Sequence, residues 1–246
     1  MQTSLANQHA SRLEALTHVS QQVSPLLVEL TEGAHVIEPN STSRQEVQSL
    51  YQYWKQHYPE AGAVYWQTRT WTMLVWQPIT IALVTTYYAE HVPPISTMKQ
   101  AVNLDNGVVG QFDFAEHDWQ LGDQHQRLAI AAKELKLLIA DLAQQLNDVC
   151  RMSPATQEKL LADTVMEMLL RGLNHMVSVN LLTKEQLHPT FAHELQHWQQ
   201  ALQLPLTRFG RLDVSIDGEY FVQRRACCMH YRRADGDYCQ GCPQKK

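Results

Sequence analysis

Residues 224–243 read Arg-Arg-Ala-Cys-Cys-Met-His-Tyr-Arg-Arg-Ala-Asp-Gly-Asp-Tyr-Cys-Gln-Gly-Cys-Pro and contain four of the five cysteines of a 246-residue chain. Thiolates bind soft and borderline metals, so Cys227, Cys228, Cys239 and Cys242 can complete one tetrahedral S4 set or share a cluster. In a [2Fe-2S] centre each iron takes two ligands, and the close pairs Cys227/Cys228 and Cys239/Cys242 divide naturally that way. A structural zinc site is the main rival, although adjacent cysteines point apart along an extended backbone and grip one small ion poorly. Disulfide bonding is the third reading. It is disfavoured because Met1 to His18 carries neither a basic n-region nor a continuous apolar core, which predicts a cytoplasmic chain whose thiols stay reduced.

The run Arg224-Arg225-Ala226-Cys227-Cys228-Met229-His230-Tyr231-Arg232, closed by Cys239-Gln240-Gly241-Cys242-Pro243, resembles the C-terminal signature of ferric siderophore reductases of the FhuF-like family. The resemblance covers the C-x0-C, ten-residue gap and C-x2-C spacing, the basic pair before the double cysteine and the Tyr-Arg just after that double cysteine. Elsewhere it is diffuse. It implies a [2Fe-2S] cluster on Cys227, Cys228, Cys239 and Cys242, and an iron-chelate oxidoreductase that releases Fe(II) from an Fe(III)-siderophore by one electron. The expected partners are then a ferric siderophore and an electron donor such as a ferredoxin or a flavin reductase. A non-enzymatic zinc- or cluster-bearing module that senses metal or redox state is the alternative.

Arg224, Arg225, Arg232, Arg233, Lys245 and Lys246 gather around the cysteines in a chain whose net charge is -5. They offset the negative charge of thiolates, and they offer a landing site for an anionic partner. Arg224, Arg225, Arg232, Arg233 and Tyr231 are therefore the candidate substrate contacts, with Tyr238 a further ring near the cysteines. The acidic balance argues against nucleic acid as a partner.

Upstream, the hairpin signal Leu212, Val214, Ile216, Asp217-Gly218 and Tyr220 to Arg225 predicts a return strand that leads into Cys227. Before it, a helix over Lys184–Leu202 contains His193-Glu194-Leu195-Gln196-His197, a literal HExxH. In zinc hydrolases that spacing sets two imidazoles one turn apart with a glutamate to activate water. Here the apolar stripe is Leu187, Phe191, Leu195, Trp198 and Leu202, which puts both histidines on the opposite, solvent face. Gln200 stands where a metzincin has glycine, and Glu219 is the one distant third ligand in view. The motif is expected to be a chance match in a chain with 12 histidines.

The rest reads as helices around small strands. A helix spans much of residues 2–31 through Leu5, Leu13, Leu16, Val19, Val23, Leu26 and Leu27, with Pro25 kinking or ending it. Gly33–Pro39 reads as a connection, and Ser41 or Ser43 as the N-cap of a helix through Val47, Leu50, Tyr51 and Trp54 that stops before Pro59. Thr70 to Ala89 is uncharged over nearly the length that spans a bilayer, but its Gln77, Pro78 and threonines point to a buried core helix, kinked or broken at Pro78. No transmembrane segment is expected; peripheral attachment at the inner membrane stays compatible with this. Trp66, Trp71 and Trp76 are read as core, with a place in a docking groove for the chelate as the alternative.

Asp105-Asn106-Gly107 predicts a hairpin between Met98–Leu104 and Val108–Phe114. Asp123 to Cys150 is a long helix striped by Leu128, Ala131, Leu135, Leu138, Leu142, Leu146 and Val149, with Cys150 a small core residue rather than a ligand. Ser153-Pro154 opens a helix expected to reach Gly172. The fold class is α+β, mostly helical, with a small antiparallel sheet of two hairpins and a C-terminal iron–sulfur lobe. Residues 1–210 form the helical body with the hairpin near 98–114, and 211–246 form the C-terminal hairpin and ligand segment, in one continuous domain.

Overall fold

The computed structural model describes residues 2–42 and 44–245, with side chains from residue 7 onward. Six α-helices and eight short strands occur among them. They are α1 (Gln2–Val23), β1 (Val28–Glu29), β2 (His35–Ile37), α2 (Gln45–His57), α3 (Gly62–Tyr87), β3 (His91–Val92), β4 (Lys99–Asn103), β5 (Val108–Asp113), β6 (Gln120–Leu121), α4 (Gln124–Val149), α5 (Pro154–Ser178), α6 (Lys184–Leu202), β7 (Arg211–Val214) and β8 (Tyr220–Gln223).

Helix α3 is the axis of the molecule and packs against α1, α2, α4 and α5. Trp71, Leu74, Val75, Ile79, Ile81 and Val84 are almost wholly buried along it. Its threonines are compatible with that burial because their hydroxyls turn back onto the helix: Thr70 donates to the Trp66 carbonyl, and Thr80 to that of Trp76, both at 2.7 Å. Pro78 neither breaks nor ends the helix. An internal proline costs ~3 kcal/mol, and burial on all sides outweighs it. Among the described residues no helix is long and apolar enough to cross a membrane.

The expected hairpins form. Lys99 pairs with Asp113 and Asn103 with Val108, around Gly107 at φ 68°. Arg211 pairs with Gln223 and Val214 with Tyr220, while Ile216 is fully exposed in the turn rather than in the strand. The first hairpin grows into a four-stranded sheet, ordered β1-β5-β4-β2, in which β1 joins β5 in parallel. The connection expected at Gly33–Pro39 is thus partly strand. Helix α1 stops at Val23, just before Pro25, so that the chain can turn into β1.

Capping follows the sequence at three helices. Asp123, Ser153 and Thr183 accept from the backbone N–H three residues on. Helix α2 differs: its N-cap is Arg44, whose side chain pairs with Asp148 at 2.8 Å instead of capping the helix, and Ser43 lies outside the described residues. Helix α5 runs past Gly172 to Ser178, because Leu173 is buried and Met176 and Val177 pack on the core beyond it.

Candidate metal centre

Helix α5 and strand β8 pack together and set the position of the cysteine segment. Asp163 and Glu167 lie one turn apart on α5, on one face. The fully buried Asp163 carboxylate accepts the N–H groups of Arg225 at 2.8 Å and Ala226 at 2.7 Å. Glu167 takes Arg224 through two nitrogens, at 2.7 Å and 2.9 Å. The three residues before Cys227 are therefore clamped to the helix by two acids. On the other side, the Arg224 N–H donates to the Gly241 carbonyl at 2.9 Å, which ties the second cysteine pair to the first. A Cβ on Gly241 would lie 1.8 Å from the Val222 carbonyl oxygen, so only glycine permits this approach.

The four sulfurs come together two by two. Cys227 Sγ lies 4.0 Å from Cys242 Sγ, and Cys228 Sγ lies 3.9 Å from Cys239 Sγ. The pairing crosses between the two sequence pairs rather than following them, because vicinal side chains leave the backbone in different directions. Two thiolates held tetrahedrally at ~2.3 Å from one metal would stand ~3.8 Å apart, so each crossed pair has the spacing that one metal requires. A single tetrahedral ion would need all four sulfurs at that spacing. Among the described residues, the trio of His, Cys, Asp or Glu whose ligand atoms converge within 4.8 Å lies elsewhere, at His193, Glu194 and His197.

The two pairs differ in exposure. Cys227 and Cys242 are buried at 8% and 3%, while Cys228 and Cys239 are only partly covered. Burial pushes the Cys227 thiol up to about 11 and that of Cys239 up to about 12. Both are neutral at physiological pH without metal, and loading the site displaces protons. Met229, at φ 59°, turns its N–H onto Cys227 Sγ at 3.3 Å, a contact that lowers electron density on that sulfur.

The partly covered pair opens onto a cavity of about 380 Å³ between α3, α5 and the cysteine segment. Arg69, Trp76, Arg171, Arg224, His230 and the two cysteines are among its walls. Burial, together with Arg233 and Arg69, lowers the pKa of His230 and keeps its imidazole neutral. Trp71 is fully buried and donates to the Gln157 carbonyl, whereas Trp76, also buried, shows one edge to the cavity.

The candidate contacts on the basic flank fall into three groups. Arg224 reaches the cavity, but its guanidinium is engaged by Glu167. Arg233 is paired with Asp235 and lies 4.0 Å over the Tyr58 ring, while Arg232 leans on the Ala61 carbonyl. Arg225 is exposed, Tyr231 stacks on Tyr238 at 4.8 Å, Lys245 is exposed and Lys246 lies outside the described residues. Sequence reasoning missed Arg69, Asp163 and Glu167. Asp163 and Glu167 stand four residues apart within the mostly apolar stretch 160–170 of α5, which was the one signal available.

Cys150 caps α4 away from the other four, its thiol pushed up to about 11 by burial. The HExxH reading needs one correction. His193 is exposed and His197 half-buried, but Glu194 is buried, accepting from Tyr87 Oη at 2.7 Å, and Tyr87 in turn accepts from Trp198 Nε1 at 2.8 Å. Glu194 follows Leu187 by seven residues and precedes Trp198 by four, so it shares their inward arc while Leu195 is only half-buried.

Residues 224–244 match the FhuF 2Fe-2S C-terminal domain. No solved structure matches the chain. The geometry and the match agree: the C-terminal segment is of the FhuF-like type, and the group suited to its clustered cysteines is a [2Fe-2S] cluster.

Proposed function

We propose that this protein is a ferric siderophore reductase, in which Cys227, Cys228, Cys239 and Cys242 are the four cluster ligands. A [2Fe-2S] centre bound there supplies electrons one at a time. Ferric ion is a hard cation held by several oxygen donors, and as Fe(II) it is held far less well by the same set. One electron from a donor such as a reduced ferredoxin or a flavin reductase therefore converts a tight Fe(III) chelate into a releasable Fe(II). The setting we propose is the cytoplasm, with peripheral attachment at the inner membrane compatible with the fold.

The single observation that carries this reading is the asymmetry of the site. Asp163, Glu167 and Gly241 hold one sulfur pair inside the protein, and the other pair faces a cavity with cationic walls. No acid, base or nucleophile is needed for the transfer. The chain fixes the ligand loop, donates the Met229 N–H to Cys227 and leaves Cys228 and Cys239 within reach of a docked chelate. The test is the visible and EPR spectrum of the freshly purified protein, followed by stopped-flow reoxidation of the reduced form with ferric siderophores. A red-brown protein with a [2Fe-2S]-type signal that is reoxidised by the chelate is expected. A colourless protein with stoichiometric zinc would sink the proposal in favour of a metal-sensing module.

A further inference from the structure

We infer that the cavity beside Cys228 and Cys239 is a binding site for a net-negative ferric chelate carrying a free carboxylate, and that Arg69 is its principal anion-binding residue. The inference rests on the reductase reading above and adds the chemical class of its substrate.

Arg69 stands apart from the other arginines near the cysteines because it is partly buried without an acceptor, whereas Arg171 and Arg225 are exposed. Those at 224, 232 and 233 each have an acceptor: Glu167, the Ala61 carbonyl and Asp235. The Arg69 guanidinium makes no hydrogen bond or ion pair with any described residue; it lies 5.0 Å over the Trp54 ring and borders the cavity. It is half-buried on α3. A guanidinium carries five N–H donors in a planar fork that matches a carboxylate. Removing such a group from water without giving it an acceptor is costly unless a ligand supplies one.

The surroundings favour the same ligand. Three guanidiniums line the cavity (Arg69, Arg171 and Arg224) against one carboxylate, Glu167, which Arg224 already occupies. The thiolates of Cys228 and Cys239 share the cavity wall, so the charges of Arg69 and Arg171 balance theirs in the loaded protein, while the N–H donors of Arg69 stay open to a ligand; Arg171 is exposed and without an ion pair of its own. At about 380 Å³ the space is at the small end of ligand cavities. It takes one face of a chelate, with a carboxylate on Arg69 and the organic scaffold against Met73 and Trp76. Such a pose sets the chelated iron beside the partly covered sulfur pair. A neutral trishydroxamate would leave Arg69 unanswered, so the site discriminates by charge.

Redox-inert Ga(III) analogues test binding apart from electron transfer. The cluster-loaded protein is titrated with an anionic Ga(III) hydroxycarboxylate chelate and with a neutral Ga(III) trishydroxamate, read by calorimetry. The anionic chelate is expected to bind at least about tenfold more tightly, as one charge-assisted bidentate contact implies. Arg69→Gln, with its visible spectrum checked against wild type, should lose that preference, and Arg69→Lys should recover part of it. Equal affinity of the wild type for both chelates, or an unchanged preference in Arg69→Gln, would overturn the inference. So would a defect of Arg69→Gln confined to electron uptake from the donor. If the anionic Ga(III) chelate binds through Arg69 while its Fe(III) counterpart is never reduced, the site stands and the reductase reading fails. If ferric chelates are reduced at rates that ignore both their charge and Arg69, the reductase reading stands and the site fails.

Discussion

Replacing Asp163 with asparagine separates the anchoring of the cysteine loop from the stability of the whole protein. Burial drives the Asp163 pKa up from 3.8 to about 6, against the opposing pull of the Arg225 and Ala226 N–H groups. A shift of that size corresponds to ~3 kcal/mol, so at neutral pH the carboxylate is held ionised against its own desolvation. Because the folded pKa is the higher one, this group favours the fold fully below about pH 4, and the contribution is lost as the pH rises through about 6. Arg224 and Glu167 are the charged groups that face it, so Glu167→Gln serves as the matched control.

Asparagine cannot ionise, so the loss between about pH 4 and about pH 6 should be absent from the mutant, and the difference between mutant and wild-type stability should change across that range. It also offers one carbonyl oxygen to two N–H groups, and the orphaned one costs ~1–3 kcal/mol. The two effects oppose each other in global unfolding, and the urea midpoint at neutral pH should move little. The loop has no such compensation. Losing an anchor worth ~1.5 kcal/mol makes local opening about tenfold more frequent. The assay is the half-life of visible absorption under a chelator, beside urea unfolding across the acid range. A mutant cluster as long-lived as the wild type, or a stability difference that is flat with pH, would refute the anchoring role.

Three further outcomes are expected. Serine at Cys227, Cys228, Cys239 or Cys242 should abolish or grossly destabilise the cluster, while Cys150→Ser leaves iron and sulfide content unchanged; a normal cluster in any of the four counts against the ligand assignment. Gly241→Ala should cost roughly 3 kcal/mol in the C-terminal segment, because its Cβ meets the Val222 carbonyl, and should show as poor cluster incorporation with an unchanged helical circular dichroism signal. His193→Ala and His197→Ala should leave cluster content and thermal stability near wild type, whereas Glu194→Ala should lower stability by ~1–3 kcal/mol through the acceptor lost to Tyr87; equal melting curves for all three would contradict the buried placement of Glu194.

The features that local chemistry specifies were legible in the sequence. Asp105-Asn106-Gly107 announces a hairpin because its glycine must take a positive φ, and it does so at 68°. Asp123, Ser153 and Thr183 sit where a helix needs an acceptor for its first N–H groups, and each acts as one. The features that distant segments specify were not legible. Arg69, in the run Gln67-Thr68-Arg69-Thr70-Trp71, looks like the polar edge of an apolar helix until Cys228 is folded against it. Asp163 reads as an acid on a helix, and nothing local reveals that two backbone N–H groups wait for it. The spacing of the cysteines located the centre but not its pairing, since sequence proximity joined Cys227 to Cys228 where the fold joins Cys227 to Cys242.

Crossed pairing also makes the tail a pair of nested loops. Cys228 and Cys239 close the inner one, and Cys227 and Cys242 lie only one and three residues beyond its ends. Closing a loop costs chain entropy that grows slowly with length, and most of it falls on whichever pair closes first. Once the inner pair is fixed, the outer sulfurs are already neighbours and join at almost no further conformational cost. Occupancy is then all-or-none: a half-filled site gives up nearly the full ordering penalty for half of the metal–sulfur bonds. The tail behaves as a single catch, and iron titrated into the empty protein in the presence of sulfide should fill some molecules completely before it fills others in part.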